Sequence, residues 1–275
     1  MSRPTSFHVR HDLTPTYTHE LLSLLLAMPV GCTQQELQGA AHFNGYQVRL
    51  RKDYYKLLRS LVELDVLIEE GNRYRLTQPG QVIARIALYE RDLLPDFIHF
   101  LYYTGFDLDS SKRFSWSYRQ VCDSLWNTAP SSIHRDRLVN LITREATLSF
   151  DTNGISFSTS SVAGILNWLT ELSPPCIIKQ DSGQKFTRRE FCSVELFALA
   201  LDHTFKSLRQ PEVHSIPLSS EVRETICRIC LIVPEAFPEM LYQTEINFDN
   251  IQIRRERGDR VSIENFSWNS LEENR

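Results

Sequence analysis

The sequence predicts a mainly α-helical protein with small β-hairpins. Apolar residues recur at helical spacing over long segments, and short β-rich runs flank turn signals that contain glycine. The chain has 275 residues, of which 42% are hydrophobic and 23% are charged. This composition can bury real cores, which excludes a disordered protein, and the length allows roughly two or three domains.

The first helices are delimited by their ends. Residues 17–28 form an apolar helical segment, and the run from Pro29 to Gly31 ends it. Thr33 is a suitable N-cap for the next helix, and Glu36, three positions later, completes a capping box. We expect this second helix to be short because His42 to Gly45 contains turn-forming residues.

A longer helix is predicted over residues 47–64, with two different faces. One face is apolar and the other carries cations, and the two lie roughly 140° apart at the helical repeat. The apolar stripe comprises Leu50, Tyr54, Leu57, Leu61 and Leu64, and the second stripe comprises Arg49, Lys52, Lys56, Arg59 and Glu63. The apolar face is expected to pack inward and the cations to point outward.

A β-hairpin is predicted directly after this helix, over residues 66–77. Its strand candidates are 66–68 and 74–76, on either side of the turn signal Glu70-Gly71-Asn72. Pro79-Gly80 then begins another helix.

A similar order of elements recurs along the chain. Helices are predicted over 92–103, 115–126, 134–146 and 160–172, with a hairpin over 148–158 that turns at Asn153-Gly154. After Ser173 we predict a hairpin over 177–186, helices over 193–208, 220–232 and 234–244, and two strands that turn at Gly258-Asp259. From element order alone, we predict three domains: 1–90, 91–172 and 173–275.

Residues 33–80 carry a family resemblance. The motif Thr33-x-x-Glu36-Leu37, the helix end LLRSLVELDVLIEE and the run GNRYRLT before Pro79-Gly80 resemble winged helix-turn-helix domains of transcription regulators. The runs FHVRHDL (7–13) and RFSWSYRQVCDSLW (113–126) are also similar to winged-helix proteins of bacterial defence and phosphorothioation gene clusters. The resemblance implies a fold of tandem winged-helix or winged-helix-like units.

The resemblance also implies a DNA-binding site. In winged-helix domains the second helix of the motif enters the major groove and the wing contacts the DNA backbone. Gln47 and Arg49 would then read base edges, and the other cations would neutralise phosphates. The implied site residues are Tyr46, Gln47, Arg49, Arg51, Lys52, Lys56 and Arg59 on the helix and Arg73 and Arg75 on the hairpin.

Charge leaves two functions open. The net charge is −4, and Lys plus Arg against Asp plus Glu is 10 to 9 for residues 1–90, 7 to 9 for 91–172 and 13 to 16 for 173–275. We therefore expect a non-enzymatic protein that binds double-stranded DNA, in regulation or in a bacterial defence assembly, with its acidic C-terminal units binding protein partners. The alternative is a protein–protein scaffold subunit. Free cations along 47–64 and 66–77 favour DNA, and cations tied up by carboxylates favour the scaffold.

Other site classes are less well supported. Cys227-x-x-Cys230, with Cys176 and Cys192, could hold zinc, but a buried-thiol interpretation is favoured because Cys227 and Cys230 lie in an apolar helix. Trp116 and Tyr118 could stack on exposed bases, but their spacing favours a helical core. Because no phosphate-loop or nucleophile-elbow motif occurs, we predict no catalytic, cofactor or metal residues, although a catalytic site assembled across domains stays open.

The predicted location is cytoplasmic. The N-terminal residues lack the apolar stretch of a signal peptide, and the best apolar run, 21–30, is too short to span a bilayer. We therefore expect no membrane partner, and homo-oligomerisation stays open.

Overall fold

A computed structural model describes residues 5–10, 12–50, 53–151, 155–181, 183–208, 215–255 and 259–273. The chain forms two compact units. The first comprises Met1–Val121 and His134–Leu172, and the second comprises Cys122–Ile133 and Ser173–Arg275. The division into three domains stays a prediction.

The first unit is mainly helical, with a short hairpin and one parallel strand pair. Its strands are β1 (Thr5–Ser6), β2 (Leu67–Glu70), β3 (Arg73–Leu76) and β5 (Ile155–Ser156). Its helices are α1 (Pro15–Leu26), α2 (Gln34–Phe43), α3 (Tyr54–Glu63), α4 (Gln78–Tyr89), α5 (Leu94–Leu108), the first part of α6 (Arg113–Thr128), α7 (Arg135–Phe150) and α8 (Thr159–Glu171), with 3-10 turns at Gln47–Leu50 and Arg91–Leu93. Strand β1 pairs in parallel with β5, and β2 pairs antiparallel with β3.

The second unit combines helices with two three-stranded antiparallel sheets. Its strands are β4 (Ser131–Ser132), β6 (Ile177–Gln180), β7 (Gly183–Phe186), β8 (Ile216–Pro217), β9 (Ile251–Arg254) and β10 (Arg260–Ile263), in the orders β4-β7-β6 and β8-β10-β9. Its helices are the end of α6, α9 (Val194–Leu208), α10 (Ser220–Cys230), α11 (Phe237–Asn247) and α12 (Ser270–Glu273), with a 3-10 turn at Pro234–Ala236. Helices α10 and α11 both pack on α9.

The predicted fold class, mainly α with small β-hairpins, is confirmed. The assignment of tandem winged-helix units stays a prediction. The hairpin expected over 148–158 is wrong in its first half, because α7 continues to Phe150. That extension places the Phe150 ring against Phe7 and Trp116, at centroid distances of 5.4 and 5.0 Å. The predicted turn at Asn153-Gly154 lies outside the described residues.

The single helix expected over 47–64 is also wrong. The described residues form a 3-10 turn, Gln47–Leu50, and the separate helix α3, and the backbone of Asp53 before α3 is non-helical. Leu50, expected on the apolar face, is 74% exposed, whereas Tyr54, Leu57, Leu61 and Leu64 are buried as expected.

Aromatic side chains fill the core of the first unit. Trp116 and Tyr118 are buried, and Tyr118 stacks on Tyr102 with ring centroids 4.9 Å apart. The imidazole Nδ1 of His99, also fully buried, lies 2.9 Å from the Tyr118 hydroxyl. The helical-core interpretation of Trp116 and Tyr118 is therefore confirmed.

The six cysteines are buried and free of disulfides. Burial raises the pKa of the Cys227 thiol to about 12. In the part of the chain that the structure describes, no group of three or more His, Cys, Asp or Glu side chains could hold a metal ion. No helix among those residues is both long enough and apolar enough to cross a membrane.

Candidate nucleic-acid interface

A buried carboxylate fixes the start of the predicted site. Glu20 on α1 is only 8% exposed, and its two oxygens accept hydrogen bonds from the backbone N–H groups of Gln47 at 2.9 Å and Val48 at 2.7 Å. These bonds satisfy donors at the beginning of the 3-10 turn that α2 and α3 leave open. The candidate residues Gln47 and Arg49 are therefore carried by this turn and not by α3.

Helix α2 begins with the predicted capping box. Glu36 Oε2 accepts from the backbone N–H of Thr33 at 2.7 Å, and the Thr33 hydroxyl accepts from the backbone N–H of Glu36 at 3.2 Å. The hydrogen bonds to Thr33 hold the pKa of the Glu36 carboxyl below its usual value. The Glu36 carboxylate is therefore ionised near neutral pH and contributes negative charge to this surface.

Helix α3 separates an apolar face from an exposed polar face. Leu57, Leu58 and Leu61 are buried, whereas Lys56 and Arg59 are exposed. This is the arrangement expected of an amphipathic helix at a protein surface.

The β2–β3 hairpin is joined to α2 and α4 by close backbone contacts. Cys32, just before α2, forms an antiparallel bridge with Tyr74, with N···O distances of 3.0 and 2.7 Å. At the start of α4, a Cβ added to Gly80 would lie 2.1 Å from the Val66 carbonyl oxygen. Only glycine allows this approach, which fixes the hairpin against the helix that follows it.

The described candidate cations are exposed but not free. Four of them contact carboxylates, and a fifth, Arg49, donates from its guanidinium to the Gly45 carbonyl. The ion pairs are Lys56–Asp53 at 2.8 Å, Arg59–Glu63 at 3.1 Å, Arg73–Glu36 at 3.5 Å and Arg75–Glu70 at 3.0 Å. The expected strip of free cations is therefore wrong for these residues, because the chain places a carboxylate beside each of the four.

A polar cleft lies between α2, α3 and the hairpin. Its volume is about 450 Å³. Its side chains are mostly amides and phenols, which can donate and accept hydrogen bonds without net charge. They come from Thr33, Gln34, Gln35, Gln38, Tyr55, Glu69, Asn72 and Tyr74. Except for Glu69, this surface is uncharged.

The structure brings only part of the predicted site together. Lys56 on α3 and Arg73 and Arg75 on β3 are exposed on elements that border the cleft, and Tyr46 is half-buried beside the 3-10 turn. Arg51 and Lys52 lie outside the described residues. The sequence analysis did not identify Tyr55 or the glutamines of α2, although the spacing of these glutamines along the helix was a usable signal. It also did not identify Glu20, for which the sequence contains no signal.

Comparisons with known proteins bear on the fold. No protein-family model matches this chain, and no curated protein matches it in sequence. Among solved structures, the chain is similar to the crystal structure of SspB, with a TM-score of 0.63 and 15% sequence identity, over 97% of this chain and 87% of that one. At this identity the similarity concerns the fold alone.

Proposed function

We propose that this chain is a non-enzymatic protein that binds double-stranded DNA through its first helix–hairpin segment, as a regulator or as part of a bacterial defence assembly. The observation that carries the proposal is the exposed polar face of α3, with Lys56 and Arg59, next to a hairpin that exposes Arg73 and Arg75. A helix in a groove, with a β-loop on the phosphate backbone, requires this juxtaposition.

The ion pairs on this surface reduce the positive charge that is available to DNA, but they can be exchanged for contacts with phosphate. Exposed pairs of this kind stabilise a protein by about 0–1 kcal/mol each, so a phosphate can replace a carboxylate partner at small cost. Four of the five described cations nevertheless form an ion pair with a carboxylate, and the fifth, Arg49, donates to a backbone carbonyl. We therefore expect modest duplex affinity at physiological salt, most of it from backbone contacts rather than base readout.

The second candidate is a docking surface for a protein partner. Two observations favour it. Four of the five described cations pair with carboxylates, and two large apolar side chains face solvent, one at the C-terminal end of α2 and one in the 3-10 turn that follows it. Phe43 is 91% exposed and Leu50 is 74% exposed. Exposed aromatic and aliphatic groups of this kind serve as anchors in protein interfaces.

A salt titration separates the two functions. For DNA binding, the Lys56→Ala/Arg59→Ala variant should bind a duplex more weakly than the parent, with a slope of log K against log salt reduced by roughly one per cation removed. Arg144→Ala is the matched control, because Arg144 is an exposed arginine paired with Glu145 at 2.9 Å on α7.

The contrary results are equally specific. Equal DNA affinity in the parent and the Lys56/Arg59 variant refutes the assigned site, and a parent that does not bind a duplex refutes the DNA proposal. In the scaffold function, Phe43→Ser with Leu50→Ser abolishes partner binding, and that binding depends little on salt.

A further inference from the structure

A second cleft in the first unit is lined by charged side chains, unlike the largely uncharged cleft beside α2. Its volume is about 370 Å³, and it is bounded by residues 8–10, the C-terminal end of α3 and the start of α6. Four basic side chains line it: His8, Arg10, Lys112 and Arg113. These basic side chains come from two separate segments of the chain, residues 8–10 and residues 112–113.

Residues 7–10 present two of these side chains by strand-like alternation. Phe7 and Val9 are fully buried, so His8 and Arg10 face the other way, towards the cleft. The segment is fixed by the backbone N–H of Phe7, which donates to the Ser156 carbonyl at 3.2 Å, and by His8 Nδ1, which lies 2.6 Å from the Ser161 hydroxyl.

Two of the cations have no carboxylate partner among the described residues. The Nε of Arg10 is buried and has no hydrogen-bond acceptor in that part of the chain. The guanidinium of Arg113 lies over the Phe150 ring, 3.8 Å from its centroid. Stacking on a ring uses the guanidinium face and leaves its in-plane N–H donors available.

The three carboxylates of the cleft are already engaged. Asp65 pairs with Lys112, Glu63 pairs with Arg59 at 3.1 Å, and Asp109 accepts from the backbone N–H of Ser111 at 2.8 Å. Arg10 and Arg113 therefore form no ion pair among the described residues, although the Asp109 carboxylate keeps its negative charge at the edge of the cleft. The cleft also contains the N-terminus of the 16-residue helix α6, whose dipole adds positive potential.

We propose that this cleft binds a phosphoryl group between the guanidinium groups of Arg10 and Arg113. A phosphate dianion offers several acceptor oxygens, and planar guanidinium groups match them with two parallel hydrogen bonds each. The cleft is larger than one phosphate, and Val62 and Phe114 supply apolar lining, so it also admits part of the attached organic group. The ligand is therefore a phosphomonoester, either a small metabolite or the 5′-terminal phosphate of a DNA strand.

Calorimetric titration of the full-length chain, at constant ionic strength, tests this site. The probes are inorganic phosphate, AMP and a pair of duplexes that differ only in a 5′-phosphate or a 5′-hydroxyl. We expect saturable binding of AMP or of the 5′-phosphorylated duplex. Arg10→Gln and Arg113→Gln should each weaken it by about tenfold or more, because each removes charged hydrogen bonds. Arg144→Gln should have no effect.

The arms of the experiment identify the source of the phosphate. Preference for AMP supports a metabolite, and preference for the 5′-phosphorylated duplex supports a DNA end. The Arg73→Ala/Arg75→Ala variant of the proposed DNA interface should keep this binding, because neither arginine nor its carboxylate partner lines this cleft. The measurement therefore tests this site independently of the proposed DNA interface.

A thermal-shift measurement on the parent protects the test against variants that fold poorly. AMP should raise the melting temperature more than adenosine at equal ionic strength, because only AMP carries the phosphoryl group. Equal shifts, the absence of saturable binding by every probe, or unchanged affinity in folded Arg10→Gln and Arg113→Gln variants would each overturn the proposal.

Discussion

Individual carboxylates determine the character of the candidate interface. Three of the four ion pairs join residues three to five positions apart: Asp53 with Lys56, Arg59 with Glu63, and Glu70 with Arg75. Spacings of three and four on a helix place charges side by side, so the two pairs of α3 could be predicted from the sequence. The pair of Arg73 with Glu36 could not, because it depends on how the hairpin packs beside α2.

Glu20 is the residue whose role the sequence concealed. It lies within an apolar helical segment, and the partners of its carboxylate are backbone N–H groups 27 and 28 positions away. Neither periodicity nor a motif signals such a bond, since any backbone N–H group can serve.

Removal of the Glu20 carboxylate should destabilise the fold. We expect Glu20→Ala to lower the free energy of unfolding by about 1–3 kcal/mol, because two backbone donors lose their acceptor in a buried setting. Urea unfolding of this variant and of the exposed control Glu171→Ala measures the difference. Equal stability of the two variants would show that the bonds from Gln47 and Val48 contribute nothing.

Among the elements, ends and turns were more predictable than lengths. The capping box of α2 and the β2–β3 hairpin with its turn at Gly71 occur where the sequence indicates. Both signals are local, so tertiary contacts did not override them. The prediction of a single helix over 47–64 was wrong because its apolar stripe is also compatible with a 3-10 turn followed by a shorter helix. The tertiary hydrogen bonds to Glu20 decide between the two.

Substitution of two glycines tests how the helices and the hairpin pack. A Cβ at Gly80 would meet the Val66 carbonyl oxygen, whereas a Cβ at Gly39, within α2, has no neighbour within 4 Å among those described. We expect Gly80→Ala to destabilise the protein by about 1–3 kcal/mol or more through steric overlap. Gly39→Ala should stabilise it by about 0.5–1 kcal/mol through helix propensity.

Thermal or denaturant unfolding of both variants measures these opposite effects. Destabilisation by Gly39→Ala, or a Gly80→Ala variant as stable as the parent, would contradict the packing described for the hairpin and α4.

For the whole molecule, the charge sums along the chain were informative, but they did not reveal which charges lie together after folding. The sequence showed that only the first third is not acidic. It did not show that the described cations of the predicted interface are paired, or that Arg10 and Arg113 line a separate cleft. Composition sums charges along the chain, whereas ligand binding depends on which charges stay uncompensated after folding.

The most direct test of the proposed function removes the carboxylates that pair with the interface cations. Asp53→Asn with Glu70→Gln frees Lys56 and Arg75 from their carboxylate partners while it leaves both cations in place. Glu145→Gln frees Arg144 away from the interface and serves as the control. The measurement is the salt dependence of duplex DNA binding, followed by fluorescence anisotropy. DNA binding at this surface predicts tighter association for the double variant and a slope steeper by up to roughly two, with no change for the control. A parent that does not bind DNA, or a double variant with the affinity and slope of the parent, would contradict it.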